Sequence, residues 1–320
     1  MLEDKRIGVV VPAYNEEKLI GRVIETMPDY VDRMYVIDDC SDDETNAKVK
    51  TYLNKPSMNG KLELITHEAN KGVGASIVTG YKRALEEDID AVAVMAGDAQ
   101  MDPGDLQGIL RPVIEGRSDY VKGNRLFTGE AWSMIPKYRY MGNAFLSLLT
   151  KIASGYWHVA DSQTGFTAIS AESLKLLPLD ELYPRYGYPN QLLVFLNVYD
   201  MRVTDVPIKP VYNVGERSGI KLRNVVPRLS WLLTKCFFWR LKEKYIIRDF
   251  HPLVFFYTLG LTLFPAGVIF GVYLLYHRIF IGRVVATSVL FAVFLFVSGL
   301  QSLFFAMWFD MEYNKDLKAK

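Results

Sequence analysis

Three short stretches of this chain carry residues that could do chemistry: Pro12-Ala13-Tyr14-Asn15-Glu16-Glu17, Asp38-Asp39-Cys40-Ser41-Asp42-Asp43 and Gly97-Asp98-Ala99-Gln100-Met101-Asp102. Each follows a short apolar run rich in β-branched residues, at 7–11, 34–37 and 91–95. In an open α/β sheet, ligands bind beyond the carboxyl ends of the strands, so the three stretches should meet at one edge. Such a site holds several carboxylates and few cations. A phosphorylated ligand would be repelled there unless a divalent cation bridged the charges. Mg²⁺ suits the arrangement, because it takes one or two protein oxygens and completes its octahedron with water and phosphate. The cation would stabilise charge developing on a departing nucleoside diphosphate. No G-x-G-x-x-G follows the first run, which argues against dinucleotide binding, and no G-x-x-x-x-G-K-[ST] occurs. Lys71-Gly72-Val73-Gly74 holds a bare G-x-G, which can merely open a helix.

The elements that position these stretches alternate in type. A further strand-like run lies at 62–66, and helical stretches occupy 17–27 and 75–87. Alternation of this kind implies an α/β domain with a mostly parallel sheet covered by helices on both faces. Runs at 120–123, 166–170 and 202–206 extend the sheet. The 320 residues carry a net charge of only +1, so no polyanion-binding surface, and hence no nucleic-acid partner, is expected. Two cysteines, Cys40 and Cys236, in dissimilar settings fit a reducing compartment. The charged N-terminus does not read as a signal peptide.

The last third differs. Residues 252–276 and 284–309 contain no charged side chain, and each run exceeds the ~20 residues needed to span a bilayer. Arg228, Lys235, Arg240, Lys242, Lys244 and Arg248 precede the first run, and Lys315, Lys318 and Lys320 follow the second. Only Arg278 and Arg283 lie between, so both termini are expected in the cytoplasm. Residues 227–248 interleave Trp231, Phe237, Phe238 and Trp239 with lysine and arginine, as an interfacial helix on anionic headgroups would. The expected organisation is a cytoplasmic domain 1–226, a juxtamembrane amphipathic region 227–250, a two-helix hairpin 251–310 and a cytoplasmic tail 311–320. Gly260, Gly267 and Gly271 could pack against a second copy of the chain, making a homo-oligomer, or against the chain's own partner span.

Val10-Val11-Pro12-Ala13-Tyr14-Asn15-Glu16, Val36-Ile37-Asp38-Asp39-Cys40-Ser41-Asp42, Asn70-Lys71-Gly72 and Gly97-Asp98-Ala99-Gln100 closely resemble glycosyltransferase family 2. Gly123-Asn124-Arg125, Asp161-Ser162-Gln163-Thr164-Gly165-Phe166 and Gly215-Glu216-Arg217-Ser218 match in order. The resemblance implies a GT-A fold over roughly residues 5–225 and, with the C-terminal spans, the polyprenyl-phosphate branch. It implies that Pro12, Ala13, Tyr14 and Glu16 line the donor's base and ribose, that Asp39 hydrogen-bonds the base, and that Asp98 and Gln100 meet a metal (Mg²⁺ or Mn²⁺) and the diphosphate. Arg125 and Arg139 match basic positions that hold the acceptor phosphate, where a guanidinium fork suits phosphate oxygens. Lys221 could add a point charge. Asp161 stands where much of the family keeps a catalytic acid residue; here it acts on the reaction or orients the acceptor or an arginine. The family often has an aspartate two residues before Asp98, where this chain has Ala96, which implies looser metal binding.

The activity implied is inverting transfer of one sugar from a UDP- or GDP-sugar to dolichyl or undecaprenyl phosphate at the cytoplasmic membrane face. A phosphate monoester, with a second pKa of about 6, is already largely dianionic and needs no protein base. Two other readings remain: a processive polysaccharide synthase, disfavoured by the absence of Q-x-x-R-W and by only two spans, and a non-catalytic nucleotide-sugar-binding subunit, favoured by Ala96. Several residues also have plainer roles. Asp102, before Pro103, reads as a helix N-cap. Asp42 and Asp43 read as caps of the helix after the second strand. Glu16 could be a first-turn carboxylate and Arg139 a solvated helix residue. His67 and His158 lack evident partners, and Cys40 needs only to be small and neutral.

Overall fold

The structure, a computed structural model, describes residues 1–126, 137–209, 211 and 222–319. It divides into two compact units, Met1–Phe237 with Asp316–Lys320, and Phe238–Lys315.

The first unit is built on a seven-stranded sheet in the order β3-β2-β1-β4-β6-β5-β7. The strands are β1 (Ile7–Ala13), β2 (Arg33–Asp38), β3 (Leu62–Thr66), β4 (Ala91–Val94), β5 (Tyr120–Asn124), β6 (Thr167–Ser170) and β7 (Val203–Pro207). Every residue of β1 is buried, as a central strand covered on both faces requires. The half β3-β2-β1-β4 is parallel. β6 then runs antiparallel to both β4 and β5, and β7 lies parallel to β5. The sheet is therefore mixed, parallel for the most part.

Helices α1 (Ile20–Glu25), α2 (Thr45–Leu53), α3 (Val73–Glu86), α4 (Leu106–Ile114), α5 (Lys137–Ser154), α6 (Ala171–Leu176) and α7 (Tyr188–Val198) flank the sheet. In α3 the buried residues Ile77, Gly80, Tyr81 and Ala84 recur at helical spacing and form one stripe. Gly80 lets the helix approach β1: a Cβ there would lie 2.6 Å from Val10 Cγ2. Leu106, Ile109, Leu110 and Val113 make the same stripe on α4. The chain's last residues return to this unit, where Lys318 bridges to Val203 on the edge strand β7.

Helix α8 (Leu222–Lys242) continues as a π-helical turn, Glu243–Arg248. In the second unit, α9 (Leu253–Phe280) and α10 (Ala286–Tyr313) are two helices long and apolar enough to cross a membrane. Both present large apolar side chains outward: Ile269 is 69% and Leu290 68% exposed. Their mutual contact is made by small residues. A Cβ on Gly267 would lie 2.5 Å from Phe296 N, one on Gly260 2.7 Å from Leu303 Cγ, and one on Gly299 2.6 Å from Phe264 Cα. Gly260 and Gly267 thus serve the chain's own hairpin, whereas a Cβ on Gly271 would meet nothing within 4 Å.

One expectation is corrected here. Arg240 and Lys244 do not face headgroups; both are buried. Arg240 forms a fork with Asp310 (Nη1 to Oδ1 2.8 Å, Nη2 to Oδ2 3.0 Å), and Lys244 Nζ donates to Asn314 Oδ1 (3.0 Å). The Tyr245 hydroxyl donates to Asp310 Oδ1 at 2.5 Å and accepts from Asn314 Nδ2 at 2.8 Å. Asp310 lies just beyond the apolar run of α10, and pairing with it outweighs solvation for an arginine one stretch of chain away.

Two substitutions test this packing. Gly80→Ala should destabilise the first unit by about 1–3 kcal/mol through overpacking against Val10, read by denaturant unfolding. Asp310→Ala should cost about 3–5 kcal/mol, because it leaves Arg240 buried without its carboxylate; thermal unfolding in detergent measures it.

Candidate active site

The ends of β1, β2 and β4 are joined by backbone bonds that continue past the strands. Asp39 N donates to Ala13 O (2.9 Å) and Gly97 N to Pro12 O (3.1 Å). Gly97 packs closely here: a Cβ would lie 3.2 Å from both Pro12 O and Ala13 Cβ. Asp39 and Asp98 therefore stand on either side of the end of β1, at the same edge. Pro12 and Ala13 are buried beneath that edge, and Tyr14 is exposed above it, its hydroxyl donating to Asp42 Oδ2 (3.1 Å). The loop after β1 is clasped to the loop after β2: Asn15 N donates to Ser41 Oγ (3.0 Å), Glu16 N to Thr45 Oγ1 (2.7 Å) and Asp42 N to Asn15 Oδ1 (2.8 Å).

Charge is concentrated where this loop meets β4. Burial, and then the Asp98 and Asp43 carboxylates, push Glu16 up to about 7. Asp98 is half-buried, and its Oδ1 accepts from Gln100 N (3.1 Å), which turns the chain so that both side chains leave the same tight bend. Among the described residues, no group of three or more His, Cys, Asp or Glu is gathered to hold a metal by itself. The donor set fits a cation that arrives with its own phosphate oxygens, not one caged by protein.

Asp39 is almost fully buried, and its carboxylate works inside the protein. Oδ1 accepts from Lys71 N (2.9 Å) and His67 Nδ1 (2.7 Å), and Oδ2 from Gly72 N (2.7 Å). A carboxylate offers about four acceptor directions, so one on Oδ2 remains. His67 is thus partnered after all, with Thr79 Oγ1 on its Nε2 (2.9 Å). Gly72, at φ 98°, opens α3, and the Pro184 carbonyl takes the Gly74 and Ala75 amides. The Lys71–Gly74 stretch opens a helix and does not offer those amides to a phosphate.

The second cluster lies at the end of β5. Because β5 runs parallel to β4, with β6 antiparallel between them, Arg125 and the segment before β6 reach the same edge as Asp98. Two strand spacings separate β4 from β5, roughly 10 Å. Asp161 grips Arg125 through Nε to Oδ2 (2.7 Å) and Nη2 to Oδ1 (3.1 Å). Gln163 N also donates to Asp161 Oδ1 (3.2 Å). Burial works to raise the Asp161 pKa, but the Arg125 guanidinium prevails and holds the carboxyl below the usual range, aided by Lys122. Lys122 is fully buried, and its ammonium donates to Thr164 O (2.9 Å). Sequence reasoning did not single out Lys122 or its neighbour Asp205; the signal was a lysine inside an otherwise apolar strand.

The remaining expectations fall as follows. Asp102 accepts from Gly104 N (2.8 Å) and caps the short helix Pro103–Asp105. Asp43 accepts from Thr45 N (2.9 Å) at the start of α2, whereas Asp42 takes the Tyr14 hydroxyl. His158 also has a partner, Nε2 donating to Val203 O (2.9 Å). Arg139 lies on α5, but its side chain, like Lys221 as a whole, is outside the described residues.

The profile described as Glycosyl transferase family 2 matches residues 8–177. The chain belongs to glycosyl transferase family 2. Among relatives of this family 2 chain, the UDP-N-acetylglucosamine–dolichyl-phosphate N-acetylglucosaminyltransferase of Methanococcus voltae is 33% identical over 221 residues, covering 66% of this chain and 88% of its own. The dolichyl-phosphate beta-glucosyltransferase of Mus musculus is 27% identical over 247 residues, 71% of this chain and 72% of its own. Glucosyl-3-phosphoglycerate synthase from Mycobacterium tuberculosis, solved with Mn²⁺, UDP and glucosyl-3-phosphoglycerate, superposes with a TM-score of 0.55 at 21% identity. That match covers 74% of this chain and 80% of the synthase, and it shows that the family 2 unit has the GT-A fold.

Asp98→Asn should lower sugar transfer about a hundredfold or more while the protein still enters membranes; activity assays and membrane flotation on one preparation check both.

Proposed function

We propose that this chain transfers a single sugar from a nucleotide-diphosphate sugar to a polyprenyl phosphate, with inversion, and that UDP-N-acetylglucosamine and dolichyl phosphate are its substrates. The observation that carries the reading is the order of groups along one sheet edge: Asp39 beside the end of β2, Asp98 at β4, then Arg125 held by Asp161 at β5. Base, diphosphate, sugar and acceptor phosphate can lie along that edge in the same order. The choice of donor and acceptor follows the Methanococcus voltae relative, of which this chain covers 88%.

The Asp39 Oδ2 direction left open would take a base N–H, with Pro12, Ala13 and Tyr14 around the nucleoside. Asp98 and Gln100 would hold Mg²⁺ or Mn²⁺ with the diphosphate, and Glu16 would add a carboxylate beside them. A bound cation would neutralise charge on the leaving diphosphate. Arg125 presents the acceptor phosphate, with Arg139 and Lys221 as further cations. One phosphate oxygen forms a bond to the anomeric carbon as the bond from that carbon to the nucleoside diphosphate breaks on the opposite side. The acceptor is already anionic, so no proton has to be removed. Asp161, with both oxygens engaged by Arg125 and the Gln163 amide, orients the arginine and does not act as a base. Helices α9 and α10 keep the enzyme at the bilayer, where the prenyl chain must stay, since leaving costs about 0.8 kcal/mol per CH₂.

Incubating the purified protein with dolichyl phosphate and labelled UDP-N-acetylglucosamine, UDP-glucose or GDP-mannose tests this. The expected product is one sugar on one lipid phosphate with the β-anomeric configuration, lost with EDTA and restored by Mg²⁺ or Mn²⁺. Labelled polymer, or nucleotide-sugar binding without turnover, would reject it.

A further inference from the structure

Beneath the Arg125 fork, the sheet carries two charged groups that the proposed reaction does not use, the buried Lys122 and the partly buried Asp205. Lys122 pairs in register with Thr167 on β6 and with Asp205 on β7. Asp205 Oδ2 accepts from Ala160 N (2.7 Å) and Asn124 Nδ2 (3.3 Å), while its buried Oδ1 has no partner among the described residues. Asp161, one residue after Ala160, also acts on the ammonium and pairs with Arg125. Two carboxylates, Asp205 and Asp161, thus share the field of two cations, Lys122 and Arg125.

We propose that Lys122 is a positioning residue for the acceptor phosphate, acting through the turn that carries Asp161. Its donation to the Thr164 carbonyl ties that turn to β5, the strand that ends in Arg125, and its charge stands behind the Asp161 carboxylate. An isolated lysine is costly to bury, so a fully buried one in the strand leading to the site needs a compensating role. Burial pushes the Lys122 ammonium down to about 8 against the pull of Asp161 and Asp205, and it pushes Asp205 up to about 6. Removing the ammonium leaves two carboxylates against one guanidinium, with Asp161 buried, and strands the Thr164 carbonyl. Both changes loosen the fork that Arg125 offers to phosphate.

This rests on the assignment of Arg125 to the acceptor, so the experiment carries both. Steady-state kinetics in detergent would use farnesyl phosphate as acceptor and UDP-N-acetylglucosamine as donor. Lys122→Met should raise the acceptor KM about tenfold or more with donor KM unchanged, and Lys122→Arg should restore it. Combined with Asp161→Asn, the Lys122 effect should largely disappear, because both act on one fork. Equal changes in both KM values, or a lowered Tm with unchanged kinetics, would overturn the proposal. If Lys122→Met does not fold, Lys122→Gln, which keeps a donor for Thr164 but not the charge, is judged by the same split. Failure of both to fold would leave a purely structural lysine and also overturn it. Arg125→Lys separates the two claims: an unchanged acceptor KM there rejects the acceptor site itself, whereas a raised one beside a normal Lys122→Met rejects only the lysine's role.

Discussion

The site depends on two backbone hydrogen bonds past the end of β1, Asp39 N to Ala13 O and Gly97 N to Pro12 O. Strands of a parallel sheet usually part company at their carboxyl ends, which opens the crevice where ligands bind. Here three strands stay paired for another residue or two before their loops diverge. The consequence is that Asp39 and Asp98 are fixed by main-chain geometry on either side of one strand, and their spacing does not rely on flexible side chains. Gly97 permits this, because any Cβ would press on Pro12 and Ala13. Fixing acidic groups in advance has an electrostatic cost, visible in Glu16, whose carboxyl is pushed up to about 7 by burial and then by Asp98 and Asp43. A folded protein holds such a concentration of negative charge at a strand end when a cation or a phosphate-bound metal offsets it.

The far side of the edge has the opposite design. Arg125 is held by Asp161 from a segment 36 residues away, and that carboxylate is itself kept ionised by its cationic neighbours. A guanidinium held in a fork loses less conformational freedom on meeting a phosphate than a free arginine would. The antiparallel strand β6 makes this possible: by running against β4 and β5, it delivers the segment before its start, with Asp161 and Thr164, to the edge where β4 and β5 end. An all-parallel sheet would have delivered that segment to the opposite edge. The mixed topology thus has a chemical consequence, separating an acidic zone from an arginine held by its own carboxylate by roughly two strand spacings, about 10 Å.

Much of this was legible in the residues. The seven apolar runs became seven strands with ends within about two residues of expectation, because β-branched runs bounded by polar turns have few alternatives. The convergence of the acidic stretches followed from a rule about strand ends. What could not be read was direction and register. An apolar run such as 166–170 has no arrow, so β6 passed as one more strand of a mostly parallel sheet. Lys122 and Asp205 are neighbours only through the pairing of β5 with β7, and their 83-residue separation hides it. His67 looked solitary for the same reason, since Asp39 lies 28 residues earlier in the chain. Asp39 matched a base-binding position by resemblance, yet most of its hydrogen-bonding capacity goes to holding the Lys71–Gly72 turn, a use no motif announces.

The juxtamembrane region shows a related limit of composition. Counting basic residues before the first span treats Arg228, Lys235, Arg240, Lys242, Lys244 and Arg248 as equivalent, but Arg240 and Lys244 are buried among Asp310, Tyr245 and Asn314. A buried fork to one carboxylate has little attraction left for a headgroup. The four that stay exposed still outnumber Arg278, in the last turn of α9, and Arg283, in the loop after it, so the charge asymmetry along the chain survives the subtraction. The pair also does something a surface arginine cannot. The Arg240 fork requires the ends of α10 and α8 to meet in one register, because an unpaired partner at either position would be stranded away from water. Small residues along α9 and α10 let the hairpin close, and one buried ion pair pins its end in the same register.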